Sequence, residues 1–508
     1  MYRILYLLAF LSIYYNTCAQ ILPKEGSKLN YRLVGFSVPA KSKDVKYNIE
    51  IATGNYNKED SFQKNISVTI SSDKNNTIAE LPAFGRQYTW RAVFMSGKST
   101  GKSELHHFST TSIPDLDTGS MRIRVTKNDG KYNGAYFFVD GTRGMYDMNG
   151  QPVWYMPSLK GIKDESLGEI RDLKLSPQGT ITFLLKDDAY EINYNGAILW
   201  KTPKKGKVSG DSVEYYHHEF TRRPNGNYMV LGKEYIPWEI PKPLDSAFFH
   251  RSGLEKNPYV YWDSIKKGYY IRMELGTILE YDKKGTLLWS WRSSGYFKQP
   301  DPKLGVRKMM TLFDTHENSF YFDEKTKTIF LGFRNLSRIL KIKYPEGKVL
   351  NDYRNIYKDG INGMGNVLFC YQHAARLSQE GDLYLFNNNL CMIGVPPRII
   401  KMEMPATGDE WLKKVWEIDC PVPQMNMAEP MQFVAGGNVI ELPDRAIFAS
   451  LYGDQYSNIF IVTPDQHIVW SATPEKWNKA TGKWEGIDMY RASIFTDQKL
   501  LERLVWGK

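Results

Sequence analysis

The sequence predicts an all-β protein, and three observations carry that reading. Aromatic residues make up 14% of the 508 residues, with thirteen Trp and thirty-three Tyr; short alternating runs are separated by Gly-containing turns; and long stretches with a 3.6-residue period are almost absent. The length exceeds one simple domain and is enough to bury a large core, so two units are expected, one of them sizeable.

In chain order, MYRILYLLAFLSIYYNTCA comes first: a charged start at Arg3, an apolar stretch from Ile4 to Tyr14, and small residues Thr17, Cys18 and Ala19 before Gln20. Residues 1–19 read as a cleaved export signal too short to span a bilayer. Cys18 as a lipid-modified first residue is the less favoured alternative, because no small-residue lipobox precedes it. No later segment is apolar enough to cross a membrane, so the expected destination is a bacterial periplasm. Cys370, Cys391 and Cys420 then allow one disulfide and one free thiol, with the pairing open. No Cys-x-x-Cys is present, which argues against a thiolate zinc site. The net charge of +10 is spread along the chain without a run of five Lys or Arg. That distribution speaks against a nucleic-acid arm and for a mildly basic surface that attracts anionic ligands.

Residues 20–113 hold runs such as YNIEIA (47–52), ISVTIS (66–71) and YTWRAVFM (88–95), which predict a small β-sandwich resembling a fibronectin type III module. The segment SIPDLDTGS (112–120) has linker composition. From 120 to 508 a strand, a turn and a Trp recur: MYDMNGQPVW (145–154), YEINYNGAILW (190–200) and LEYDKKGTLLW (279–289). Looser copies follow at 340–351, where Asn351 replaces the Trp, at 399–416 and at 459–470. Six copies predict a six-bladed β-propeller, with 237–263 as a loop inserted over one face.

A second set of marks precedes these hairpins. His218 stands eight residues before Gly226, His373 eight before Gly381, and Arg171 eight before Gly179; His316 opens the intervening segment. The innermost strand of each blade lines the channel, so His218, His316 and His373 are expected to converge, joined by Arg334. For the adjacent pair, counting favours His218, with His217 expected to point away. Glu219 and Glu317 are expected to turn away from the channel. A zinc or copper ion on three imidazoles is a minority reading, since a fixed guanidinium beside a dication is unfavourable. No metal and no cofactor is called for. An anion site fits better: Arg334 offers a planar fork to a tetrahedral oxyanion and Asn318 an amide donor. A neutral imidazole is then a nucleophile that splits a group transfer into two displacements. Tyr216, Phe313, Tyr371 and Tyr490 are candidates for an aromatic pocket, each with ordinary propeller packing as the alternative.

Three segments, HHEFTRRPNGNYMVL (217–231), DTHENSFYFDEKTKTIFLGFR (314–334) and QHAARLSQEGDLYLFNN (372–388), together with YRASI (490–494), resemble the bacterial arylsulfate sulfotransferases that work without a nucleotide sulfate donor. The resemblance runs over most of 120–500. It implies that His373 accepts the sulfuryl group as a sulfohistidine. It further implies that His218, His316, Asn318 and Arg334 hold the sulfate oxygens and move the phenolic proton. Tyr490 is then a substrate-binding residue. The implied partners are a small aryl sulfate donor and a phenolic acceptor, without nucleic acid or membrane span, and a homodimer. Ala374-Ala375 after His373 leave out an acidic neighbour that could orient the ring. The rival reading is a non-catalytic exported propeller that binds glycans or peptides.

Overall fold

The structure is a computed structural model that describes residues 20–507 except 42–44, 98, 114–118, 204–214, 241–255, 257, 298–313, 356–366, 393–394, 407–410, 423–435, 453–456 and 488. The export-signal segment 1–19 and Phe313 lie outside the described residues. The chain is nearly all β and divides into two compact units, 1–113 and 114–508.

The first unit has a six-stranded sheet, in which Gln87–Ser96 pairs with Lys46–Thr53, Ser99–Lys102 and His106–Thr110, and a two-stranded sheet of Leu33–Ser37 with Asn76–Glu80. Alternation of buried and open positions in Lys46–Thr53 is what a half-buried strand requires. Phe36 meets Trp90 edge-on at 5.0 Å between ring centroids and Phe108 at 6.0 Å.

The second unit contains six antiparallel sheets among the described residues. The first joins Tyr136–Val139, Gly144–Asp147 and Pro152–Tyr155 to the near-C-terminal strand Ala492–Phe495. The others begin with Ile170–Leu175, Tyr216–Arg222, Glu317–Asp323, His373–Leu377 and Asn438–Glu441. These leading strands pack in succession, and Asn438–Glu441 packs against Ala492–Phe495, which in turn packs against Ile170–Leu175. The two ends of the unit are thus tied twice, since Met121–Asn128 also pairs with Ile468–Asn478 in the sixth sheet.

The recurring Trp has a physical role in this arrangement. Trp154 Nε1 donates to Tyr194 O at 2.8 Å, Trp289 to Pro345 O at 2.7 Å, Trp416 to Pro464 O at 2.9 Å and Trp470 to Met148 O at 2.7 Å. Each indole reaches from the outer hairpin of one sheet into the corresponding turn of the next, satisfying a carbonyl there while its ring fills the gap. Asn351 makes the same reach, its Nδ2 donating to Ala406 O at 3.2 Å. Trp200 instead stacks on Tyr228 at 4.0 Å.

Most of the segment 237–263 expected as an inserted loop, residues 241–255 and 257, lies outside the described residues. Its described ends are strands: Tyr228–Glu239 pairs along its whole length with Gly268–Tyr281, and Val260–Asp263 adds a further short strand to the third sheet. Cys370 and Cys391 form a disulfide, and Cys420 is a buried free thiol.

Candidate active site

The leading strands enter the centre through β-bulges. Arg171 lies opposite Leu184, His217 opposite Leu231 and His373 opposite Phe386. Each partner stands five residues beyond its turn glycine, Gly179, Gly226 or Gly381. By ladder position, therefore, His217 is the counterpart of Arg171 and His373, and His218 is an extra residue of a wider bulge. Its backbone is left-handed, φ 59°, a conformation that costs a non-glycine residue about 1 kcal/mol. His316, φ 54°, occupies a similar position ahead of the bulge in the fourth sheet.

These bulges bring the imidazoles together around one tyrosine. The His218 ring lies 5.0 Å from that of His316 and 5.6 Å from that of Tyr490, and the His373 ring lies 6.2 Å from Tyr490. Arg334 stacks over Tyr371 at 5.0 Å, donates to Asn335 Oδ1 at 2.9 Å, and is close enough to act electrostatically on His373. Asn318 is buried, with Nδ2 donating to the carbonyl of Gln372 at 2.7 Å, so its amide braces the strand just before His373.

His373 is almost fully buried, at 1% exposure. Its Nδ1 meets Asn388 Oδ1 at 2.8 Å, and its Nε2 accepts from the Gly436 N–H at 3.2 Å. An amide oxygen only accepts, so Nδ1 carries the proton and Nε2 the lone pair. Asn388 thus orients the ring in place of an acidic neighbour, held itself by donating to Gly436 O at 3.0 Å. Gly436 has φ 89°, and a Cβ there would sit 2.7 Å from Tyr490 O, so only glycine brings its N–H to His373.

A similar assignment follows for the histidine pair. His217 Nε2 faces Gly232 O at 3.2 Å, and the two Nδ1 atoms are 2.5 Å apart. With Nε2–H of His217 donating to the carbonyl, its Nδ1 accepts from Nδ1–H of His218, whose Nε2 keeps a lone pair. His217 therefore leans on its neighbour rather than away from it. His316 Nδ1 meets Asp314 Oδ2 at 2.8 Å.

Burial pushes the pKa values of His217, His218 and His373 well below the usual 6.5; Lys233 adds to this at His217, the neighbouring imidazoles at His218, and Arg491 and Arg334 at His373. Burial raises Tyr490 to about 12, so its hydroxyl stays protonated. That hydroxyl has no hydrogen-bond partner among the described residues.

Glu219 does not turn away from the centre. Its Oε2 meets Arg491 Nη1 at 2.7 Å and its Oε1 meets Lys174 Nζ at 2.7 Å. Burial alone would raise its pKa, but Arg491 and Lys174 hold it down at about 2. Arg491 also binds Asp172 Oδ1 at 2.9 Å and the carbonyl of Asn318 at 2.8 Å, tying three leading strands together beneath the histidines. Glu317 does turn outward, onto Ser293 and Thr315.

A cavity of about 390 Å³ reaches the His217, His218 and Tyr490 side of this cluster, lined also by Arg171 and Lys186; His316 and His373 are not among its lining residues. Arg171 lies over the Tyr490 ring at 5.2 Å. Tyr216 belongs instead to the packed core, its hydroxyl 2.9 Å from that of Tyr281. Counting from the turns puts Arg171 in register but gives it no role; Asn388 and Arg491 carry no signal beyond lying in the quoted motifs, and Gly436 lies outside all of them. Among the described residues, no three His, Cys, Asp or Glu side chains converge to hold a metal ion.

Fold and site together define a nearly all-β protein in which sheets converge on buried neutral imidazoles and guanidinium groups. Residues 124–239 match the Arylsulfotransferase (ASST) family. The matched stretch contains the first two sheets' hairpins and the strand bearing His217 and His218, and the family matched is the one that the motifs resemble. No curated protein matches the chain. Among solved structures, a protein of unknown function from Bacteroides caccae is 11% identical, covering 74% of this chain and 100% of its own, with TM-score 0.37. A quinonprotein alcohol dehydrogenase-like protein from Bacteroides thetaiotaomicron is 9% identical over 94% of this chain and 99% of its own, with TM-score 0.33. No helix among the described residues is long and apolar enough to cross a membrane.

Proposed function

We propose that this chain is an exported aryl-sulfate sulfotransferase: a six-bladed propeller of residues 120–508 preceded by a fibronectin III-like sandwich at 20–113, transferring a sulfuryl group between phenols by a ping-pong mechanism through His373. The observation that carries the reading is the gathering of His218, His316 and His373 around Tyr490, with Arg334 acting on His373. The family match supports the reaction class. The ring of leading strands and the Trp reaches from sheet to sheet support the propeller.

In the first half-reaction, Nε2 of His373 attacks sulfur with the lone pair that the Gly436 N–H releases. The N–S bond forms while the S–O bond to the aryl group breaks, and the bonding pair leaves with the phenolic oxygen. That oxygen takes a proton from His316, whose Nδ1 meets Asp314. The His373 ring gains positive charge, which strengthens its Nδ1–H bond to Asn388. In the second half, an acceptor phenol gives its proton to Nε2 of His218 and attacks sulfur, and the S–N bond breaks to restore His373. A proton passing from His218 to His316, whose rings are 5.0 Å apart, resets the site. Arg334 and the Tyr490 hydroxyl stabilise the sulfuryl oxygens in this reading.

The test is release of p-nitrophenol from its sulfate ester with and without a second phenol, combined with quenching after labelled donor. Acceptor-stimulated release and acid-labile sulfur on the wild type but not on His373→Ala are expected. Full transfer by His373→Ala, or no label on the protein, would overturn the proposal.

A further inference from the structure

A second cavity, of about 710 Å³, lies in the same unit and shares no lining residue with the first. All six leading strands or the turns after them contribute to it, through Lys174 and Leu175, Thr221, Tyr321, Arg376, Asn438 and Ile494. Its size is that of a small-molecule pocket. The aromatic rings of Tyr321, Tyr384 and Phe495 and the side chains of Leu175 and Ile494 give it an apolar body.

The charges around it are unevenly satisfied. Of the acids on the wall, Glu380 pairs with Lys401 and Arg445, Glu441 with Lys401 and the Gln379 amide, and Asp323 accepts from amides of its own turn. Behind the cavity, Asp172 and Glu219 are shared among Lys174, Arg491 and Arg376. Asp140 adjoins them, its carboxyl pushed up by burial to about 7. Arg376 is the poorly served member. It approaches Glu219 only to 3.9 Å, gives one Nη to Asn438 Oδ1 at 3.2 Å, and its buried Nε has no hydrogen-bond partner among the described residues. The Arg376 side chain lines the cavity and keeps 17% of its surface exposed, so a ligand anion can reach its guanidinium there. Lys325 adds a second cation at the rim.

We propose that this cavity is a binding site, separate from the histidine cluster, for a small aromatic carboxylate whose anionic group is taken by Arg376 and whose ring lies among Tyr321, Tyr384 and Phe495. Sulfuryl transfer plays no part in this binding, so its test is independent of the proposed reaction.

The probe is benzoate, which has the charge and the ring but no phenolic hydroxyl to accept a sulfuryl group, titrated calorimetrically into the full chain at low salt. Saturable binding is expected, weakened about tenfold or more by Arg376→Gln, the scale for losing a charge-assisted hydrogen bond. Benzamide, the uncharged isostere, should bind weaker by a similar factor, and His373→Ala should leave benzoate affinity unchanged. Should Arg376→Gln fail to fold, Lys325→Glu at the exposed rim decides, with an expected loss of several-fold. No saturable binding to the wild type, equal affinity in both charge variants, or loss of binding in His373→Ala would each overturn the site.

Discussion

His217 and His218, consecutive on one strand, face each other through their Nδ1 atoms rather than pointing to opposite sides of the sheet. The bulge makes this possible, because His218 in the left-handed region turns its ring back onto its neighbour. The pair then forms a chain from the Gly232 carbonyl through His217 to His218, leaving His218 Nε2 as the acceptor. His217→Ala should lower kcat about tenfold, a fraction of the 10²–10⁴ that a general base contributes, with KM little changed. The acid limb of the pH profile should shift in this variant, because the tautomer of His218 is no longer set. A loss that is uniform at every pH and follows the fall in melting temperature would reduce His217 to a packing role.

Asn388 holds His373 by its Nδ1 proton. Asn388→Ala should slow the appearance of protein-bound sulfur by about 10–100-fold, the range for removing an orienting partner. Asn388→Asp should keep the ring oriented while drawing the imidazole pKa upward through the added negative charge. Rapid-quench labelling across pH separates the two variants.

Neutral His218 and His373 set the pH dependence. Their folded pKa values lie well below 6.5, so the unfolded chain takes up protons that the folded chain refuses. Stability from these groups is complete above about pH 6.5 and is lost as the pH falls below it. Asp140 and Glu317, pushed up to about 7, act in the opposite sense, since their contribution is lost as the pH rises through that value. The difference between variants isolates the histidines: the melting temperature of His218→Gln should fall less than that of the wild type on going from pH 7.5 to 5.5. The activity plateau should likewise extend below pH 6.5, and an acid limb at or above that value would contradict neutral histidines.

Glu219 is compensated on both oxygens by cations from other strands. Glu219→Ala leaves the fully buried Arg491 with Asp172 as its remaining carboxylate partner, and should cost about 3–5 kcal/mol of stability in denaturant titration, as for other broken buried pairs. A change below about 1 kcal/mol, the scale of an exposed pair, would show that the network is solvated.

Reduction of the Cys370–Cys391 bond, which closes a loop of sequence separation 21 around His373 and Asn388, should lower stability by about 3 kcal/mol on loop-entropy grounds. The double Cys→Ser variant, compared with the wild type by thermal melting, checks it.

Much of this architecture is legible in one dimension because strands and turns are written locally. The alternation of Lys46–Thr53, the turn glycines and the outer-hairpin Trp each depend on residues within about ten positions. The Trp positions mark true hairpins, and even the exception, Asn351, keeps the same bond into the next sheet. His218, His316 and His373 were identifiable by their spacing from turns. The choice between His217 and His218 was not fully so, since counting from the turn assumes equal bulges and the third sheet has one extra residue.

Residue order alone pointed to an all-β chain, a repeated hairpin and a small set of histidines near the starts of the leading strands. Which atoms of those imidazoles carry protons was decided only in three dimensions, by Asn388, Gly436, Gly232 and Asp314, and the burial that keeps His217, His218 and His373 neutral was decided there too. The physical reason is that hydrogen-bond direction and desolvation depend on neighbours brought in from other strands, such as Arg491 beneath Asn318 and Glu219, and no local period records their approach.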